Sequence, residues 1–148
     1  MVAVDEIVTV DGQPLSIEDV VAVARGAGLN LADDAAYRQR IQAGAEFIER
    51  HLAEDGVIYG VTTGYGDSCT VSVPEALVRA LPLHLTRYHG CGLGDYFSRE
   101  QGRAILTTRL QSLAQGFSGV RYALLERLAA LVAQDIVPLI PEEGSVGA

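Results

Sequence analysis

The chain has 148 residues, 49% of them apolar and 20% charged, which excludes a disordered tail and supplies enough apolar side chains for the core of one ordinary domain. A formal net charge of −8 argues against a sequence-independent grip on nucleic acid or on an anionic membrane surface. All 11 basic residues are Arg, and Arg suits packed, bidentate pairing better than Lys does. No apolar run reaches the roughly 18 residues of a membrane span, and the first residues lack a basic leader followed by an apolar stretch. Cys69 and Cys91 form neither a CxxC motif nor a disulfide framework, which predicts a reducing, cytoplasmic setting.

In chain order, Ile7 to Val10 alternate around β-branched side chains and Asp11-Gly12 is a turn signal, so a short β-hairpin is expected. Ser16, followed by Glu18 and Asp19, reads as the N-cap of a helix that Gly26 or Gly28 stops. Asn30 to Asp34 opens a second helix whose apolar stripe is Tyr37, Ile41, Ala45, Ile48 and Leu52, and Asp55-Gly56 ends it. Val57-Ile58-Tyr59 reads as a short extended piece before a loop containing Gly60, Gly64 and Gly66. Ser72 with Glu75 matches a capping box and predicts a third helix through Leu77, Leu81, Leu85 and Tyr88 into a second glycine loop, Gly90 to Gly94. Ser98 with Gln101 is another capping box, opening a helix with Ile105, Leu106, Leu110 and Leu113. Ser118 is expected to cap a fifth helix, apolar on two faces through Leu124, Leu125, Leu128, Leu131 and Val132, before Pro138 and Pro141 break the pattern. The fold expected is mainly α, with glycine-rich loops placed by packed helices, where chemistry usually resides.

Few residues offer chemistry by themselves. The glycine loop is not a Walker motif, since the chain has no Lys, and neither Gly64-Tyr65-Gly66 nor Gly92-Leu93-Gly94 continues into GxGxxG. His84 and His89 lie five apart, which misses one helical face, so no metal site is expected. Nothing arranges a Ser/His/Asp triad. Tyr59 on the glycine loop and His89 at a helix end remain. The bland alternatives are a half-buried ring with a bonded hydroxyl for Tyr59 and a capping imidazole for His89.

Four segments taken together change that balance. They are Tyr59-Gly-Val-Thr-Thr-Gly-Tyr-Gly66, Arg87-Tyr-His-Gly-Cys-Gly-Leu-Gly94, Arg109-Leu-Gln-Ser-Leu-Ala-Gln-Gly-Phe-Ser-Gly-Val-Arg121 and Pro138-Leu-Ile-Pro-Glu-Glu-Gly-Ser-Val-Gly-Ala148. In this order and spacing the chain resembles the N-terminal part of the aromatic amino acid ammonia-lyases and aminomutases, a family that includes histidine, phenylalanine and tyrosine ammonia-lyases and tyrosine 2,3-aminomutase. The resemblance covers roughly residues 57 to 148 and fits the first 55 only in kind. In the family, Ala-Ser-Gly cyclises by itself with loss of two waters to give 4-methylidene-imidazol-5-one (MIO). The resemblance makes Ala148 the first residue of that triad, so residues 1–148 are expected to be the N-terminal part of the MIO-bearing domain, with the rest of the same polypeptide downstream.

The resemblance implies an ammonia-lyase giving urocanate or p-coumarate, in which the substrate amine attacks MIO covalently and becomes a better leaving group. It implies Tyr59 as the base facing the β-carbon, a role open to a phenol only where its phenolate is stabilised. Gly60, Gly64 and Gly66 then belong to an active-site loop able to close over substrate. Tyr88 and His89 occupy the pair that contacts the substrate ring. Histidine enzymes typically carry Ser-His there, phenylalanine enzymes Phe-Leu and many tyrosine enzymes His-Leu, while some tyrosine-acting enzymes carry Arg-Ser-His. Arg87-Tyr88-His89 departs from each at its middle residue. A polar His89 suits an imidazole or a phenol and would stay unpaired against a plain phenyl ring. Val61-Thr62-Thr63-Gly64-Tyr65-Gly66 is closer to the tyrosine-acting aminomutases than to the Val-Asn-Thr-Gly-Phe-Gly common in histidine enzymes. Also implied is a homotetramer with active sites shared among subunits. Two rivals stand beside the lyase: a tyrosine 2,3-aminomutase giving β-tyrosine, and a non-catalytic helical interaction protein.

Overall fold

The computed structural model describes residues 7–54 and 56–144. These are drawn into two packed units, one from residues 7–48 and 97–139, the other from residues 49–54, 56–96 and 140–144. Asp55, expected to help end the second helix, and Ala148, the expected cofactor precursor, lie outside the described residues.

The first unit begins with strand β1 (Ile7–Val10), helix α1 (Ile17–Ala24) and strand β2 (Gly28–Leu31). The expected hairpin is not what forms. β1 pairs parallel with β2, in the register Val8 to Leu29 and Val10 to Leu31, and α1 is the crossover between them. After Asp11-Gly12 the chain has no room for a returning strand, because Ser16 already caps α1. The Ser16 hydroxyl accepts from the Asp19 amide at 3.1 Å, and the Asp19 carboxylate accepts from the Ser16 amide at 2.8 Å. Of the two expected stops, Gly26 is the one used, with φ +111° just past the helix, while Gly28 enters β2. Asn30 likewise belongs to β2 and opens no helix.

Helix α2 spans Ala35–Ala53, and Asp34 accepts from its Tyr37 amide at 2.9 Å. Its expected stripe is realised, with Tyr37, Ile41 and Ala45 buried. Helix α5 (Arg99–Ala114), opened by the Ser98–Gln101 box as expected, packs on α1 and on helix α6 (Tyr122–Ala133), and α6 packs on β2. Ser118 does not cap α6; Arg121 holds the N-cap position without a side-chain bond. Val10, Val23, Ile41, Leu110, Leu125 and Val132 fill the centre of this core.

A buried arginine ties the unit together. Arg103, only 4% exposed, donates to Val23 O at 2.8 Å, Val132 O at 2.9 Å, Ala27 O at 3.1 Å and Asp135 Oδ1 at 3.0 Å. Two of those carbonyls lie in the last turns of α1 and α6, where helices leave acceptors without an internal donor. Asp135 also pairs with Arg99, and that hydrogen bond, followed by the Arg99 charge and by Arg103, holds its carboxyl below the usual range. At the α2–α6 contact Arg38 lies 4.2 Å over the Tyr122 ring, which meets the Tyr37 ring edge-on.

In the second unit the expected third helix is broken in two, α3 (Glu75–Val78) and α4 (Leu81–His89). Pro74 occupies the N-cap position of α3 and Pro82 the first turn of α4, where the missing N–H leaves no helical bond unmade. The Ser72–Glu75 box does not form, because Ser72 pairs in an isolated bridge with Thr63. Beyond α4, the expected glycine loop becomes a strand halfway along: β3 (Leu93–Tyr96) pairs antiparallel with β4 (Pro141–Glu143). Among the described residues, no helix is long and apolar enough to cross a membrane.

Candidate active site

The loop between α2 and α3 is built by its own side chains. Residues 57 and 58 form no strand, contrary to the expected extended piece; the Ile58 carbonyl instead accepts from the amides of Val61 and Thr62 and closes a turn. Thr62 Oγ1 accepts from the Ile58 amide at 2.8 Å. Thr63, which is buried, accepts from the Gly60 amide at 3.2 Å and donates to Gly64 O at 3.0 Å. Beyond the turn the chain doubles back, with Gly64 N–H on Val71 O at 3.1 Å and Val73 N–H on Thr62 O at 2.8 Å. A 3-10 turn, Gly66–Thr70, lies between these two segments.

Tyr59 sits at the head of this loop and is 54% exposed. Its hydroxyl oxygen accepts from the Gly66 amide at 3.0 Å, and among the described residues nothing accepts its proton. Three other tyrosines do the reverse. Tyr37 donates to Ala114 O, Tyr65 to Gly60 O and Tyr122 to Ala32 O. Tyr59 thus differs from these three in that its oxygen accepts from a backbone amide, the direction that also suits a phenolate.

Gly60 has φ +71°, and a Cβ there would lie 2.6 Å from Tyr65 Cε1, so only glycine fits between the two tyrosines. The Tyr59 and Tyr65 rings meet edge-to-face, 6.0 Å apart at 86°. Gly60 adjoins Tyr59 in the chain and Gly66 donates to its hydroxyl, whereas Gly64 lies against Ser68. Thr62, Thr63 and Tyr65 are the residues that sequence reasoning left without a role. Their signal was only their place between the glycines.

Tyr88 and His89 end α4, with rings 5.1 Å apart and tilted by 48°. Tyr88 is 81% exposed and His89 partly buried. Among the described residues no hydrogen bond, ion pair or ring contact joins either of them to Tyr59. Tyr59 and Tyr88 are both exposed and belong to the same unit.

The sequence model of the family described as aromatic amino acid lyase matches residues 15–148. The chain is 38% identical over 143 residues to a histidine ammonia-lyase of Streptococcus gordonii, covering 96% of this chain and 28% of that protein. A histidine ammonia-lyase of Caldanaerobacter subterraneus subsp. tengcongensis is 40% identical over 141 residues, covering 95% of this chain and again 28% of the relative. Among solved structures, the tyrosine aminomutase of Streptomyces globisporus superposes with a TM-score of 0.85 at 39% identity, over 93% of this chain and 26% of that one. The chain thus spans little more than a quarter of the length of these relatives. It belongs to the aromatic amino acid lyase family.

Proposed function

We propose that the protein is an ammonia-lyase for an L-amino acid with a polar aromatic ring, histidine or tyrosine, and that Tyr59 is its base. The observation that carries this reading is the Tyr59 oxygen, which belongs to an exposed residue and accepts from the Gly66 amide. Residues 1–148 form the N-terminal part of the catalytic domain, and the remainder of the polypeptide and a homotetramer with shared sites complete it. Exposed, unpaired Cys69 and Cys91 support a reducing, cytoplasmic setting.

The MIO group, formed from a triad beginning at Ala148, would supply the electrophile that turns the amino group into a better leaving group. The described residues fit such a partner, because they offer a base and keep it facing solvent rather than burying it in the core. Once its hydroxyl proton has passed to solvent, Tyr59 Oη, as the phenolate, takes the proton from the substrate β-carbon. The electron pair of that C–H bond becomes the new double bond as the C–N bond breaks and ammonia departs. The Gly66 N–H, already on the oxygen that holds the negative charge before the transfer, makes a charge-assisted hydrogen bond to it. His89 offers one donor and one acceptor to an imidazole or a phenol, and Tyr88 lies against it.

The test uses the full-length protein with L-histidine and L-tyrosine, following urocanate and p-coumarate. Tyr59→Phe is expected to keep the fold and lose turnover by about 100- to 10,000-fold; near-parental turnover removes Tyr59 as the base. An intact mass lower by two waters is expected, and its absence would sink the MIO reading.

A second reading is a tyrosine 2,3-aminomutase. It is favoured by Thr62 and Tyr65, which follow the tyrosine-acting pattern, while the 39% identity to the Streptomyces globisporus enzyme lies between the 38% and 40% to the histidine ammonia-lyases. β-Tyrosine accumulating ahead of p-coumarate would select it over the lyase.

A further inference from the structure

We infer that Tyr65 is a positioning residue for Tyr59, acting through the Gly60 peptide and through direct ring contact; the inference rests on the reading of Tyr59 as the base. The two polar groups of Gly60, the residue that follows Tyr59, are both taken by side chains. Its N–H goes to Thr63 Oγ1 at 3.2 Å and its carbonyl accepts from Tyr65 Oη at 2.9 Å. A left-handed glycine with both groups bonded cannot rotate without breaking one of them, so the direction in which the chain presents Tyr59 is fixed there.

The Tyr65 ring supplies the second constraint. It stands edge-to-face against the Tyr59 ring and fills the space that the missing Cβ of Gly60 leaves open. On the far side, the Tyr65 carbonyl accepts from the Ser68 amide in the 3-10 turn, whose first residue, Gly66, donates to Tyr59 Oη. Tyr65 therefore touches what orients Tyr59 at three points: the peptide after it, its ring, and the turn that carries its hydrogen-bond donor. A base must meet its proton within hydrogen-bond reach, and misplacement by an ångström costs about 100-fold in rate. Nothing requires Tyr65 itself to touch substrate.

The test compares Tyr65→Phe and Tyr65→Leu with the parent and with Tyr59→Phe in the full-length protein, using L-histidine and L-tyrosine. Tyr65→Leu loses ring and hydroxyl and is expected to lower kcat about 100-fold with KM within about threefold of the parent. Tyr65→Phe keeps the ring and loses one hydrogen bond, so kcat is expected to recover to within about fivefold of the parent. Deuterium uptake in Tyr65→Leu should rise only in peptides covering residues 59–70. Parental kcat in Tyr65→Leu overturns the inference, as does faster uptake throughout the chain, which would mark a purely structural role. If Tyr59→Phe turns over like the parent, the proposed function falls first. If Tyr59→Phe is inactive and Tyr65→Leu is not, only the role of Tyr65 is lost.

Discussion

Replacing Arg103 by Met keeps a long, flexible side chain and removes all of this residue's donors from the centre of the first unit. Arg103 serves three backbone carbonyls, Val23 O, Val132 O and Ala27 O, besides Asp135. Val23 O keeps the Gly26 amide at 3.1 Å and Val132 O keeps the Asp135 amide at 3.2 Å, so these acceptors are weakened rather than stripped. Counting about 1 kcal/mol for each of the three acceptors gives about 3 kcal/mol of lost local stability. Since about 1.4 kcal/mol is a factor of ten, amides of α5 and α6 that exchange through opening of this knot should exchange on the order of 100-fold faster. Hydrogen–deuterium exchange read by mass spectrometry on peptides from 99–114 and 122–133 measures this directly. Arg103→Lys should recover only a small part, because one ammonium cannot reach all the acceptors at the ends of both α1 and α6. Exchange in Arg103→Met within about threefold of the parent would refute the reasoning, since the arginine would then be packing material and not the tie between helix ends.

Three further outcomes are expected. Ser98→Ala removes the acceptor for the Gln101 amide and should destabilise the first turn of α5 by about 1 kcal/mol, visible as faster exchange confined to residues 99–103. The Asp135 carboxyl is held below its ordinary 3.8, so its contribution is present above that pH and is lost as pH falls through the folded value; Asp135→Asn should flatten the acid limb of an unfolding titration, and an unchanged limb would count against the Arg99–Asp135–Arg103 cluster. Tyr37 is pushed above 10.0 by burial, with Arg40 opposing, and Tyr122 above 10.0 by burial, with Arg38 opposing. Their contribution is present below 10.0 and lost as pH rises through the folded values, so two tyrosines should ionise late in an ultraviolet titration, and early, uniform ionisation would contradict their burial.

The sequence made the helices legible where a cap and a stripe agree. Ser16 and Ser98 each stand before an acid or amide three residues on and before an apolar run, and both caps form. Ser72 has the same spacing yet is drawn into a bridge with Thr63, and two prolines then set the helix starts. Local pattern cannot see such a tertiary competitor. The parallel pairing of β1 with β2 was equally hidden, since Gly28-Leu29-Asn30-Leu31 has little strand propensity and is held by burial of Leu29 beside Val8 and Val10. The sequence singled out the glycine loop and Tyr59 as the candidate site, but the Gly66 amide on the phenol was hidden, because it depends on a turn closed from Val71 and Ser68.

Arg103 could have been found. It lies three residues before Leu106 and seven before Leu110, on the buried face of α5, where a charged residue must be paired. With Arg38 and Arg40 set against the Tyr122 and Tyr37 rings, it also gives part of the all-arginine basic set a physical reason, for a forked, planar cation does what an ammonium cannot.

The β3–β4 ladder has a mechanical side. Leu93 is paired with Glu143 and Tyr96 with Pro141, and β3 begins four residues after His89. Backbone hydrogen bonds tolerate only a few tenths of an ångström of stretch before they fail. A pull on the end of α4 is therefore carried across the ladder into Pro141–Glu143, so the ring pair and β4 respond to load together, not as separate pieces.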